Sequence, residues 1–241
     1  MTKLSVIISA YHNTKVVVRH VEECMKSTHV PDEIIVVNDH GDPELKEALK
    51  KIDIKTKLIY AWIKEDIPWN YTGARNLGVW LSTGEYLCIE DQDHIPYRDY
   101  YSKGLELLDG DPTVDRVKTC KRHVVSEEDV LTKPMEEWTV MSSRPPHQDV
   151  AIIRRSTYLK VKGYDERLAG AYGWSATDWK RRLHRVGSVE TNLDYQWVIY
   201  SEKTSGLSHR NYRIARTQTD YQSPRGILNF KYEYEQLSNQ K

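Results

Sequence analysis

Four short runs of closely spaced aliphatic residues mark the first part of the chain: LSVIISAY at 4–11, EIIVVND at 33–39, KLIYAWI at 57–63 and EYLCIED at 85–91. Nearly continuous Ile, Val and Leu over so few residues is the pattern of a strand buried on both faces. Between the runs, residues 15–28, 43–51 and 73–82 carry apolar side chains at helical spacing, as Val17, Val21, Cys24 and Met25 do in the first. Strand and helix in alternation predict βαβ units, and so a parallel sheet between helix layers. Ligands of such sheets settle beyond the carboxyl ends of the strands. The residues at those ends are polar here: Tyr11, His12 and Asn13 after the first strand, Asn38 to Asp42 after the second, Asp91 to His94 after the fourth.

From about residue 117 the rhythm changes. VKTCKRHVV at 117–125 leads into a long stretch, 126–148, that holds Pro134, Pro145 and Pro146; VAIIRR at 150–155, a helix at 176–186 and a strand-like DYQWVIY at 194–200 follow. The second half is expected to be mixed, with 126–148 an irregular lid or acceptor-side loop and 225–241 a short amphipathic helix that frays. With no internal repeat, low-complexity tract or Gly/Ser linker, one domain over 1–241 is expected.

A chain of 241 residues encloses a core without disulfide help. Lys and Arg number 35 and so do Asp and Glu, so no net charge draws the protein to nucleic acid or anionic lipid. Cys24, Cys88 and Cys120 are odd in number and lack CxxC spacing, which suits a reducing compartment. The first apolar run meets His12 and Asn13 at once, too soon for a signal peptide, and no stretch reaches membrane-spanning length. A soluble, cytoplasmic chain is therefore expected, acting alone, in peripheral association or as a piece of a longer one. Tyr (16) and Trp (7) far outnumber the single Phe, which suits sugar or base stacking as well as ordinary core.

The sharpest local feature is Glu90-Asp91-Gln92-Asp93-His94 at the end of a buried strand. Residues two apart in extended chain point the same way, so Asp91 and Asp93 can present paired carboxylates to one point. Such a pair suits a hard divalent cation that also holds a diphosphate; a solvated acidic turn is the plainer alternative. The first strand is followed by SAYHN rather than a Gly-rich phosphate loop, which argues against a dinucleotide dehydrogenase or a nucleotidyltransferase.

In order along the chain, SVIISAYHN, VVNDHGDP, GARNLGVWLSTGEYLCIEDQD and AIIRRSTYLKVKGYDERL resemble the GT-A glycosyltransferases of family 2 and their relatives, over about residues 4–187. The resemblance implies an α/β, GT-A (Rossmann-like) fold: a central, mostly parallel sheet with flanking helices and a mixed second half. It implies a metal-dependent transfer of sugar from a nucleotide sugar, UDP-linked by preference, to a hydroxyl of a glycan or glycoconjugate, expected to invert, with Mn²⁺ or Mg²⁺ as cofactor. Residues 1–116 would bind the nucleotide sugar and 117–241 the acceptor.

Residue by residue, Ala10, Tyr11 and Asn13 match the loop that holds base and ribose. Asp39 matches the acid that hydrogen-bonds the base, though a turn-forming role before His40 and Gly41 is an equal alternative. Arg75 and Asn76 match an Arg-Asn pair whose guanidinium stands near the nucleotide; an Arg that anchors a crossover helix by a salt bridge is compatible with this. Asp91 would contact ribose or sugar and the metal, Asp93 the metal, and His209 would be a third ligand. Arg210 and Arg213 would steady the departing diphosphate.

The base is where the pattern departs from the family. The usual position falls on Ala176, leaving Asp178 on a second acidic position, either as base or acceptor-orienting group or as an i,i+4 partner of Arg182. Were Asp178 not the base, a retaining reaction without a protein base, or an inactive nucleotide- or glycan-binding relative, would follow. Trp174 offers a stacking platform for the acceptor sugar. His147, Gln148 and Asp149 lie near where donor and acceptor sugars meet in relatives.

Overall fold

In the computed structural model, residues 3–148, 150–170, 173–199 and 230–238 are described. The first half follows the predicted alternation: β1 (Leu4–Ala10), α1 (Thr14–Met25), β2 (Glu33–Asn38), α2 (Leu45–Leu49), β3 (Lys57–Ile63), α3 (Tyr71–Leu81) and β4 (Tyr86–Asp91). The four strands are parallel in the order β3-β2-β1-β4. Every residue of β1 and β2 is buried, because both faces are covered. Successive side chains enter opposite cores: Val6 and Ile8 pack in the layer of Val17, Val21 and Cys24 of α1, and Ile7 packs with Val79 of α3 on the other face.

The second half continues with β5 (His94–Ile95), α4 (Tyr100–Gly110), β6 (Val114–Val125), α5 (Glu127–Thr132), β7 (Ser142–Arg144), β8 (Ala151–Arg154), α6 (Arg155–Lys160), α7 (Ser175–Arg185), β9 (Val189–Ile199) and β10 (Tyr232–Gln236). Beyond β4 the sheet runs β8-β6-β9-β5, with β8 antiparallel to both β4 and β6, β9 parallel to β6 and β5 antiparallel to β9; β7 pairs with β6. This is the mixed α/β GT-A fold class that the resemblance implies. Among the described residues no helix is long and apolar enough to cross a membrane.

Two expectations need correction. Residues 126–148 are not structureless: they form α5, a 3₁₀ turn at Met135–Glu137 and β7. Ser126 caps α5 by accepting from the Asp129 amide at 3.0 Å, and buried Val130, Met135 and Trp138 pin the stretch to the core. The second correction is at the chain end, where 232–236 form a strand rather than a helix. Tyr-Glu-Tyr-Glu has period two, and β10 lies antiparallel on the edge of β3 with Glu233 paired to Lys64 and Glu235 to Lys46.

The order 3-2-1-4 places a change of direction between β1 and β4: the chain leaves β1 toward β2 on one side and returns to β4 on the other. At such a switch point the loops diverge and leave a crevice at the strand ends. Residues 11–13 and 91–94 meet there.

Candidate active site

The loop after β1 is held by the loop after β2. Ala10 is buried and its carbonyl accepts from the Asp39 amide at 2.7 Å, while the Tyr11 carbonyl accepts from the Asp42 amide at 3.1 Å. The Asp42 carboxylate binds the Thr14 amide and hydroxyl, each at 3.0 Å, and His12 Nδ1 at 2.8 Å. Gly41 passes so near Tyr11 that a Cβ on it would sit 1.1 Å from the Tyr11 carbonyl oxygen. Asn13, with φ of 72°, caps α1 by accepting from the Val16 amide, so its side chain is engaged in starting the helix. Tyr11 is 48% exposed and is the aromatic ring this loop presents at the rim.

The two readings of Asp39 part here. The turn is built by its neighbour Asn38, whose Oδ1 accepts from the Gly41 amide at 2.6 Å and whose Nδ2 donates to the Asp42 carbonyl at 2.8 Å. Asp39 instead accepts from Asn70 Nδ2 at 3.1 Å at a buried position. Burial pushes its carboxyl up to about 7; the Asn70 bond opposes this and the charge of Asp66 adds to it.

Arg75 is fully buried, lies over the rings of Tyr71 and Tyr164 at 4.7 and 5.0 Å, and donates to Asp91 Oδ1 at 2.5 Å. It therefore anchors α3 and stands beside the acidic pair at once. Asn76 turns the other way: it accepts from Tyr158 Oη and the Tyr164 amide and donates to the Tyr164 carbonyl and Glu166, tying α3 to the segment after α6.

Asp91 also accepts from Ser9 Oγ at 3.3 Å, and Asp93 faces His94 Nδ1 at 2.8 Å. Asp91, Asp93 and His94 bring one ligand atom each within 4.8 Å of one another. The donor set of two carboxylates beside an imidazole fits a hard divalent cation. His94 Nε2 faces the guanidinium of Arg122 at 3.3 Å. Because a guanidinium only donates, Nε2 is the acceptor and Nδ1 carries the proton toward Asp93. His94 thus orients Asp93, and the two acids are the groups that could take a cation with no proton removed. Partial loss of water contact at the rim would raise the Asp93 carboxyl, but the neighbouring His94 and His147 outweigh it and hold it low.

His147 comes to this cluster as the sequence suggests, with Nε2 3.9 Å from Asp91 and its ring edge-on to His94 at 5.0 Å. The carbonyl of Gln148 accepts from Arg116 at 3.1 Å. Sequence reasoning gave no role to His94, Asn70 or Arg122. For His94 the signal was adjacency to the acids; Asn70 and Arg122 reach the site only through sheet and loop pairing. Asp149, His209, Arg210 and Arg213 lie outside the described residues.

Asp178 lies in the first turn of α7, where it accepts from Arg182 Nε at 2.8 Å. Arg182 is itself buried and donates to the carbonyls of Val161 and Gly163 at 2.7 and 2.5 Å. The i,i+4 pair is present, and it fixes the orientation of the Asp178 carboxylate. Next to it, Trp179 stacks on Tyr164 at 4.4 Å, the ring that Arg75 covers from the Asp91 side. Trp174 precedes the helix with φ of 70° and has Arg181 5.9 Å from its ring centre. Ala176 supplies no carboxylate.

An uncharacterised glycosyltransferase of Rickettsia bellii is 28% identical over 107 residues, 44% of this chain and 15% of that protein. The amylovoran biosynthesis glycosyltransferase of Erwinia amylovora is 26% identical over 110 residues, 44% of this chain and 35% of that protein. The matched region thus spans a minor part of those relatives' length. The model of the glycosyl transferase family 2 matches residues 5–163, about two thirds of the chain. With the ordered motifs, the switch-point crevice and the acid pair at its rim, the chain belongs to glycosyl transferase family 2.

Proposed function

We propose that the chain transfers a sugar from a UDP-sugar to a hydroxyl of a glycan or glycoconjugate, with inversion, as one domain whose residues 1–116 bind the donor and 117–241 the acceptor. The observation that carries this reading is the Asp91–Asp93 pair beside Arg75 at the β1/β4 crevice. A bound Mn²⁺ or Mg²⁺ would neutralise the diphosphate as it departs. Asp91 and Asp93 would hold that ion, Arg75 fixes Asp91, and His94 fixes Asp93. His209 is proposed as a further ligand, and Arg210 and Arg213 as partners of the diphosphate. Ala10 and Tyr11 line the nucleotide with Asn13 setting the loop, and Asp39 accepts from the base. The Erwinia amylovora relative, a glycosyltransferase of amylovoran biosynthesis, supports the sugar-transfer reading.

In this reading Asp178 takes the proton of the acceptor hydroxyl through the oxygen that does not face Arg182 Nε, and Trp174 supports the sugar face. Asp178→Asn is expected to lower the transfer rate about 10²-fold with donor affinity nearly unchanged, measured by initial rates against UDP binding. The engagement of Asp178 by Arg182, with Ala176 at the usual base position, favours one alternative: a reaction without a protein base, which retains configuration. Equal rates for Asp178→Asn and a product of retained anomer would select it.

Asp39 gives a pH dependence. The carboxylate accepts from a pyrimidine N–H more strongly than the neutral acid does, and burial pushes the Asp39 carboxyl up to about 7. UDP affinity is therefore expected to fall, by up to about tenfold, from pH 8 to pH 6, and Asp39→Asn to flatten the profile. Without ligand the sign reverses: the raised value favours the folded state below the unfolded value of about 4 and the advantage is lost as pH rises through about 7.

The test of the whole reading is a panel of nucleotide sugars assayed for release of nucleoside diphosphate with Mn²⁺ or with chelator. Metal-dependent release from a UDP-sugar supports it. Binding without release would point to an inactive relative.

A further inference from the structure

Directly beneath the acid pair, in the apolar layer between α1 and β4, lies a fully buried histidine and glutamate. His20 Nε2 is 2.7 Å from Glu90 Oε2, and both side chains are 0% exposed. The carboxylate is saturated by groups from three elements: Tyr101 Oη approaches both its oxygens at 3.5 and 3.3 Å, and the Cys88 thiol donates to Oε1 at 3.2 Å. A strand covered on both faces asks for an apolar side chain at this position, and a buried ion pair adds little net stability over apolar residues of similar size. What the pair does have is a second contact: His20 Nδ1 lies 3.2 Å from the carbonyl oxygen of Gln92, the residue between Asp91 and Asp93.

Both ring nitrogens face acceptor oxygens, so both donate, and the ring is held as imidazolium against Glu90. Burial alone would drive that proton off, but the neighbouring Cys24 and the bond to Glu90 and its charge outweigh it and carry His20 up to about 10. Gln92 is then held at three points. Its carbonyl accepts from His20, its amide donates to the Ser9 carbonyl at 3.2 Å, and its side-chain oxygen accepts from the Tyr11 amide at 2.9 Å. Fixing that peptide fixes the directions in which the flanking Asp91 and Asp93 leave the backbone, and joins them to the nucleotide loop through Tyr11.

We propose that His20, held by Glu90, is a positioning residue that clamps the Gln92 peptide so that Asp91 and Asp93 present their carboxylates together to the cation and diphosphate of the donor. The proposal rests on the assignment of those acids to the donor site.

The variants follow from the shape of imidazole. In His20→Asn the amide nitrogen stands near the Nδ1 position and keeps the bond to Gln92; in His20→Gln it stands near Nε2 and keeps the bond to Glu90 alone. The double variant His20→Leu/Glu90→Leu removes the buried charges together and keeps the layer apolar. UDP is titrated into each variant and the wild type with MnCl₂ present, and thermal melts are recorded in parallel. The expected result is that the double variant melts near the wild type yet binds UDP with Mn²⁺ about tenfold or more weakly, and that His20→Asn binds more tightly than His20→Gln. Full affinity in the folded double variant, or equal affinities for Asn and Gln, would overturn the proposal while leaving the donor site intact. Loss of folding in the double variant leaves the Asn and Gln pair to decide. Absence of Mn²⁺-dependent UDP binding in the wild type would overturn both the proposal and the donor-site assignment.

Discussion

Asp93→Ala is expected to give a folded protein whose transfer no longer responds to Mn²⁺, with kcat/KM lower by on the order of 10²–10³-fold. Asp93 sits at the rim with 37% of its side chain exposed, but its partner His94 is buried, so its removal takes the 2.8 Å acceptor from His94 Nδ1. Loss of that acceptor costs about 1–3 kcal/mol, and the melting temperature should fall modestly while the fold is kept. The rate should move a great deal, because charge that develops on the departing diphosphate loses the acid that directs its counter-ion. Asp91→Ala is a less clean probe, since it also takes a carboxylate away from the buried guanidinium of Arg75. Initial rates at varied Mn²⁺, with melts as control, check the prediction; unchanged metal-dependent rates would remove Asp93 from the site.

Gly41→Ala carries the second large effect, through backbone rather than charge. A Cβ at residue 41 would fall 1.1 Å from the oxygen, 2.1 Å from the carbon and 2.8 Å from the Cα of Tyr11, and no side-chain rotation relieves a clash with backbone. The loops after β1 and β2 must part, with loss of the Asp42 to Tyr11 backbone bond and of the Gly41 to Asn38 bond. A destabilisation of about 3 kcal/mol is expected, together with a weaker grip on UDP because Tyr11 moves with its loop. Urea unfolding and UDP titration measure the two effects. A variant as stable as the wild type would show that the close approach does not hold the rim together.

The four parallel strands are legible because burial on both faces writes aliphatic residues at successive positions rather than alternate ones, and their carboxyl ends are legible because polarity begins there abruptly. The acid pair followed from the same abrupt change. What failed to show was short or non-local. The six residues of α5 are too few to display a helical period, and β10 is a strand only because the edge of β3 is there to pair with it. The choice between base acceptor and turn former for Asp39 depended on Asn70, far along the chain and brought near by the fold. The sequence allows Asp178 two roles, and its contact with Arg182 shows the pairing without removing the chemistry. In the sequence His20 belongs to a helix and Glu90 to a strand; only the packing of α1 on β4 makes them a pair.

The central claim, that the acids at the β1/β4 crevice recruit a divalent ion to seat a diphosphate, is tested most directly by calorimetric titration of UDP into the protein with MnCl₂ or with EDTA. The account predicts binding that strengthens at least about tenfold with Mn²⁺ in the wild type and no such gain in Asp93→Ala. Equal UDP affinity with Mn²⁺ and with EDTA, or a full Mn²⁺ gain in Asp93→Ala, would contradict it.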